Sequence, residues 1–158
     1  MSELQRAPLC YLATPYSKYP SGIDAAFIEA ARITGELIKS SIKVYSPIVH
    51  CHPASVHGNI PPLDHSIWLP FDEAMMQACA VLIVAQMAGW HESFGVAHEI
   101  DFFERRGRPI YDLNPERMSL ARRVRKLARD RFEDKTSADL EPDRREFLQN
   151  NPPAEKSA

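Results

Sequence analysis

The chain has 158 residues, 44% of them hydrophobic, which is enough for one domain with a real core and too little for two of ordinary size. Lys and Arg total 19 against 21 Asp and Glu, and the formal net charge of -2 gives no global attraction toward nucleic acid or an anionic membrane. No apolar stretch approaches the ~20 residues that span a bilayer, no charged-then-apolar signal order opens the chain, and Cys10, Cys51 and Cys79 show no CxxC pairing; a cytoplasmic domain with buried or free thiols is expected.

Pro8 to Ala13 reads as a first buried strand, ended by the polar loop Thr14-Pro15-Tyr16-Ser17. Ile23 to Lys39 carries apolar residues at helical spacing, with Phe27, Ala31 and Ile38 expected inward, and Ile42 to Tyr45 reads as the second strand. Ser46 to Leu63, with Pro47, Pro53, Pro61 and Pro62, is expected to be a long loop, and loops of that length in small domains are usually functional. Ser66 to Cys79 is predicted helical, Ala80 to Ala85 is an unbroken apolar strand, and a helix follows from Ser93 to about Arg106, stopped by Gly107. Pro109 to Asp112 is a further strand, and Ser119 to Phe132 is predicted as a helix whose basic residues form a solvated face. Strands alternating with helices indicate an α/β domain with a mainly parallel sheet, over residues 1–132, with 133–158 a charged, partly disordered tail. Ligands of such sheets bind outside the carboxyl ends of the strands.

Two carboxylates stand out. On the Ser93 helix, Val96, Ile100 and Phe103 form the inward stripe and Glu99 lies at its border. Helical side chains lean toward the N-terminus, so Glu99 projects over Gly95, which leaves a gap that a ligand could fill. Ser93 suits the N-cap, and the free amides of that first turn favour a phosphate or another anion. Asp72 falls near the centre of an apolar face shared by Trp68, Leu69, Phe71, Met75, Met76 and Cys79, a costly place for a carboxylate that is neither satisfied nor used. Paired carboxylates in different environments are the equipment of glycosidic bond cleavage. His50, His52, His57 and His65, with Cys51 and Asp64, match no metal spacing, and Phe102 stands where an HExxH motif needs its second histidine. Neither a metal nor a cofactor is expected.

The ordered motifs Tyr11-Leu12-Ala13-Thr14-Pro15-Tyr16-Ser17, Tyr45-Ser46-Pro47-Ile48, Asp72 before a buried strand, Gly89-Trp90 and Ser93-Phe94-Gly95-Val96-Ala97-His98-Glu99 resemble the nucleoside 2-deoxyribosyltransferase-like superfamily, over roughly residues 8–112. The resemblance implies a three-layer flavodoxin-like or Rossmann-like sandwich that cleaves the N-glycosidic bond of 2'-deoxynucleosides or their 5'-monophosphates. It implies Glu99 as the nucleophile at C1', Asp72 as the group that handles the leaving base or its proton, and Tyr16 as an orienting residue. Thr14, Pro15, Ser17, Pro47, Ser93 and Gly95 are the implied substrate-binding positions, and Trp90 either stacks on a base or packs. Transferases of that superfamily often carry aspartate at the position of Ser93, whereas its nucleotide hydrolases use serine there for the 5'-phosphate, and many relatives have glycine at the position of Thr14. The implied partners are a small nucleoside or nucleotide and further copies of the chain in a homo-oligomer. A nucleotide sensor of the same fold without turnover is the alternative.

Overall fold

Two short strands, Cys10–Ala13 (β1) and Val81–Ala85 (β3), have every residue buried, and they form the centre of the sheet. The structure is a computed structural model and describes residues 2–123. Val44–Tyr45 (β2) flanks β1, Ile110–Asn114 (β4) flanks β3, and Ser119–Arg122 (β5) closes the edge, in the order β2-β1-β3-β4-β5. The first four strands are mutually parallel and β5 runs antiparallel to β4. This is the flavodoxin-like order, in which the chain reverses direction across the sheet between β1 and β3.

Side chains on β1 and β3 alternate between two cores, as the period of a strand requires. Cys10, Leu12, Val81, Ile83 and Ala85 pack with Ile33 and Leu37 of the helix Ile23–Lys39 (α2) and with Leu4 of the short helix Glu3–Arg6 (α1). Tyr11, Ala13, Leu82 and Val84 pack on the opposite face with Met76 of the helix His65–Ala78 (α4) and with Val96, Phe102 and Phe103 of the helix Phe94–Arg105 (α5). Helices on both faces of a mainly parallel sheet make a three-layer α/β sandwich, as expected from the alternation of elements.

Four sequence expectations are corrected. The segment after β2 is not a loop: Pro47–Gly58 is a helix (α3). Ser46 caps it by accepting from the Val49 amide, Pro47 occupies the first turn where its missing N–H costs nothing, and Asn59 ends it in the left-handed region at φ 54°. Pro53 deprives the helix of one internal bond without ending it. In α2 the inward stripe is Ala26, Ala30, Ile33 and Leu37, and Ile38 is 57% exposed. Small residues at 26 and 30 let the helix approach the sheet, so the buried face is set by them rather than by the largest side chains. In α4 the apolar face around Asp72 is only partly enclosed: Met76 is its buried residue, while Phe71 stays exposed. Finally, Ser119–Arg122 is a strand and not the start of a helix. Asn114 accepts from the amides of Glu116 and Arg117, Met118 takes φ 48°, and Leu120 returns beside Leu113. The rest of that expected helix and the charged tail lie outside the described residues.

One glycine governs how the loops above the sheet meet. Gly89 has φ 79°, and a Cβ there would lie 2.2 Å from the carbonyl oxygen of Lys18. Gly89→Ala is therefore expected to destabilise the fold by roughly 2–4 kcal/mol, combining left-handed strain with a backbone clash. Gly35→Ala, inside α2 with open space around the added methyl, should instead stabilise by ~0.5–1 kcal/mol. Urea unfolding midpoints of the two variants check both signs.

Candidate active site

Above the carboxyl ends of β1 and β3 the loops part, and a cleft of about 830 Å³, counted with its open mouth, lies between them. The loop after β1 contributes Thr14, Tyr16 and Ser17; the start of α3 contributes Pro47; α4 contributes Asp72; and the start of α5 contributes Ser93, Gly95 and Glu99. Eight of the ten residues singled out from sequence thus line one cavity. Pro15 does not, since it is fully buried beneath the loop. Trp90 does not either: it sits in a short 3-10 turn, Trp90–Glu92, and packs against the core beside α5.

Ser93 ends that turn in an extended conformation and caps α5, its Oγ accepting from the Val96 amide at 3.4 Å. The hydroxyl proton is left free to donate into the cleft, next to the positive end of the helix. Glu99 follows on the inward face with Val96, Phe102 and Phe103, and at 7% exposure it is buried rather than at a border. Its lean over Gly95 carries the carboxylate against the sheet instead of out to solvent.

The partner it meets there is Tyr11 of β1. The Tyr11 hydroxyl donates to Glu99 Oε1 at 2.9 Å, and the Tyr11 ring is wedged between Tyr45 and Phe103. Glu99 Oε2 is buried with no hydrogen-bond partner among the described residues, and so are Asp72 Oδ1 and Thr14 Oγ1. Buried polar atoms are normally paired, so three unpaired ones around one cavity mark a place built to receive a polar ligand. Tyr16 does not reach Glu99; its hydroxyl bonds His52 Nδ1 at 2.8 Å. The tyrosine that bonds Glu99 is therefore Tyr11, which sequence reasoning passed over because it looked like an ordinary strand residue.

Burial raises both carboxyl groups. Desolvation alone lifts Asp72 to about 7. Glu99 is raised well above the ordinary glutamate range, chiefly by desolvation and further by the charge of Asp72, while the Tyr11 hydrogen bond opposes the rise. Tyr11 is itself raised by burial and by the neighbouring carboxylates, so it stays a donor at neutral pH. Two carboxyl groups with elevated affinity for protons thus face one cavity.

The remaining histidines are dispersed. His50 stacks on Phe71, His65 lies against Phe94, and His98 meets Glu73 at 3.2 Å, joining α4 to α5 across the cleft wall. Among the described residues no group of three or more His, Cys, Asp or Glu side chains is placed to hold a metal ion.

Strand order, a cavity at the β1/β3 crevice and two desolvated carboxyl groups define a three-layer α/β protein with a carboxyl-lined cleft. The chain belongs to the family described as a domain of unknown function, DUF1937, which matches residues 8–114. No curated protein matches the chain. The matched span runs from β1 through β4 and contains every cleft residue named above.

The raised Asp72 gives a pH dependence of stability. The folded state keeps its proton up to about pH 7, whereas an unfolded aspartate loses it near pH 4, so between those values ionisation favours unfolding. The contribution is favourable below pH ~4 and is lost as pH rises through 7. Asp72→Asn should match the parent at pH 4 and exceed it by roughly 1–3 kcal/mol at pH 8. Urea titrations at the two pH values measure this, and a variant less stable than the parent at pH 8 contradicts it.

Proposed function

We propose that the cleft cleaves the N-glycosidic bond of a 2'-deoxynucleoside or, in preference, a nucleoside 5'-monophosphate. The observation that carries this reading is Glu99: a buried carboxylate with one oxygen fixed by Tyr11 and the other unpaired, facing the same cavity as a protonatable Asp72. That arrangement suits attack on an electrophilic carbon better than it suits structure, because a carboxylate kept only for packing would have both oxygens satisfied.

In the reaction, Glu99 Oε2 forms a bond to C1' as the C1'–N bond breaks, and the electron pair of that bond leaves with the base. Asp72 supplies the proton that neutralises the base. Water then attacks C1', gives its proton to Asp72 and releases Glu99, which restores the starting state; in base exchange a second base replaces the water. The productive form has the proton on Asp72 and the charge on Glu99. Burial opposes that charge; Tyr11 offsets part of the cost by donating to ionised Glu99, and the positive charge that develops on the sugar offsets more.

Support for the phosphate comes from Ser93. Its oxygen already serves the Val96 amide, so toward the cleft it offers a donor, in line with the amides of the first turn of a 12-residue helix. Donors suit a phosphate, and the serine that stands here also agrees with the nucleotide-hydrolase side of the resemblance.

Incubation with a panel of nucleosides and 5'-monophosphates, followed by chromatography, should release free base, and Glu99→Gln should lower the rate by ~10³-fold or more. Ser93→Asp should weaken monophosphates at least tenfold more than nucleosides, since a like charge would face the phosphate. If no base appears from any compound while one still binds, the protein is a nucleotide sensor instead.

A further inference from the structure

His52 is a titratable side chain at the cleft that the cleavage chemistry does not use. It is almost fully enclosed, its side chain 10% exposed, on the inner face of α3. Three contacts hold it. Its ring lies flat on Phe27, with centroids 4.4 Å apart and an interplanar angle of 13°. Nε2 is 3.5 Å from Asp24 Oδ1, and Nδ1 is 2.8 Å from the Tyr16 hydroxyl oxygen. Asp24 and Phe27 are one helical turn apart at the start of α2, so one helix end packs on the ring's face and sets a carboxylate beside one nitrogen.

The donors and acceptors in this chain follow from the tautomer of His52. Asp24 is largely exposed and its contact is longer than an ordinary hydrogen bond, so its negative charge favours the tautomer with the proton on the nearer nitrogen, Nε2, without locking it. In a neutral imidazole the other nitrogen is then a bare acceptor, and the Tyr16 hydroxyl must donate to it. The phenol has a single proton, and in that tautomer it is turned inward to Nδ1. Toward the cleft, which Tyr16 lines beside Thr14 and Ser17, its oxygen has only lone pairs to offer.

We propose that His52, held by Asp24, fixes Tyr16 as a hydrogen-bond acceptor toward the cleft, so that the cleft selects a ligand presenting a donor there, a sugar hydroxyl or a base N–H. His52 is thus a positioning residue and Tyr16 the ligand-contacting one. The selection deepens the nucleotide reading, on which its ligand part rests, while the polarity of Tyr16 rests only on the Asp24–His52–Tyr16 geometry. A cleft already rich in acceptors, Glu99 Oε2 and Asp72 Oδ1 among them, is matched to a sugar or base by its donors, and phosphate recognition is left to the far end at Ser93.

Two measurements test this. In ¹⁵N-histidine NMR of the ligand-free protein at pH 8, His52 should show the tautomer protonated at Nε2, and Asp24→Ala should shift it toward a mixture. A ring protonated at Nδ1 overturns the proposal. In the Glu99→Gln background, calorimetry should compare 2'-deoxyadenosine 5'-monophosphate with its 2',3'-dideoxy counterpart, which lacks the sugar donor, and with the 2'-deoxy nucleotide of unsubstituted purine, which lacks the amino donor. One of the two analogues should bind about tenfold more weakly, and which one identifies the donor. That penalty should vanish in Tyr16→Phe and His52→Phe but persist in His52→Asn, whose side-chain oxygen can replace Nδ1 as acceptor. A penalty unchanged in all backgrounds, or none for either analogue, overturns it. Should no nucleotide bind, the cleavage reading fails, and the NMR result still decides the polarity of Tyr16.

Discussion

The hydrogen bond between Tyr11 and Glu99 joins the middle of the sheet to the helix that packs on it, inside a layer from which solvent is excluded. A carboxylate in that position costs several kcal/mol unless something meets it, and Tyr11 meets only one of its two oxygens. Much of the surrounding structure serves that half-satisfied state. Tyr45 and Phe103 hold the Tyr11 ring, Val96 and Phe103 seat α5 on the sheet, and Gly89 lets the loop before α5 pass close to the backbone at Lys18. The sheet therefore determines where the carboxylate stands, and α5 determines which way its free oxygen faces.

Strand order explains why the cavity exists. With β1 and β3 adjacent, the chain leaving β1 goes to one side of the sheet and the chain leaving β3 to the other, so their loops diverge and leave a crevice. Each wall then receives a different kind of side chain. The β3 side brings a helix start with donors, and the α4 side brings Asp72 on a face that is apolar around it. The β1 side brings hydroxyls, one of them tied through His52 to α2. On the proposed reading, the anionic end, the polar middle and the apolar ring of a nucleotide each meet one of these walls.

How much of this could be read from the sequence depended on whether a signal was local. Ser93, Gly95 and Glu99 lie within two turns of one helix, where spacing alone says which side chains share a face, and the structure keeps them together. Asp72 was legible for the same reason, as a polar residue out of phase with its helix. Tyr11 was not, because its role depends on a residue 88 positions away and its own neighbourhood spells a plain buried strand. His52 was hidden inside α3, a helix that two prolines within it and two just after it disguised as a loop; proline at the first helical position is favourable, but counted by type it reads as a breaker. In α2 the size of Phe27 and Ile38 suggested the wrong face, since close packing against a sheet rewards small residues there. The last strand failed for want of a local sign: Leu120 fits a helical stripe and a strand equally well, and only its pairing opposite Leu113 decides.

The two carboxyl groups also set the relation between stability and chemistry. Each is raised by desolvation, so the ligand-free fold is under an electrostatic load that grows as the pair loses its protons. The two cores, one on each face of the sheet, must carry that load, and the fully apolar β1 and β3 supply the burial to do so. In the proposed reaction, a sugar that develops positive charge beside Glu99 relieves the load at the moment of bond cleavage, while a base that takes a proton from Asp72 moves the charge to the other carboxylate. On that proposal, the electrostatic load on the fold and the stabilisation of a transition state are two aspects of the same desolvated pair, and a neutral replacement at either position would remove both together.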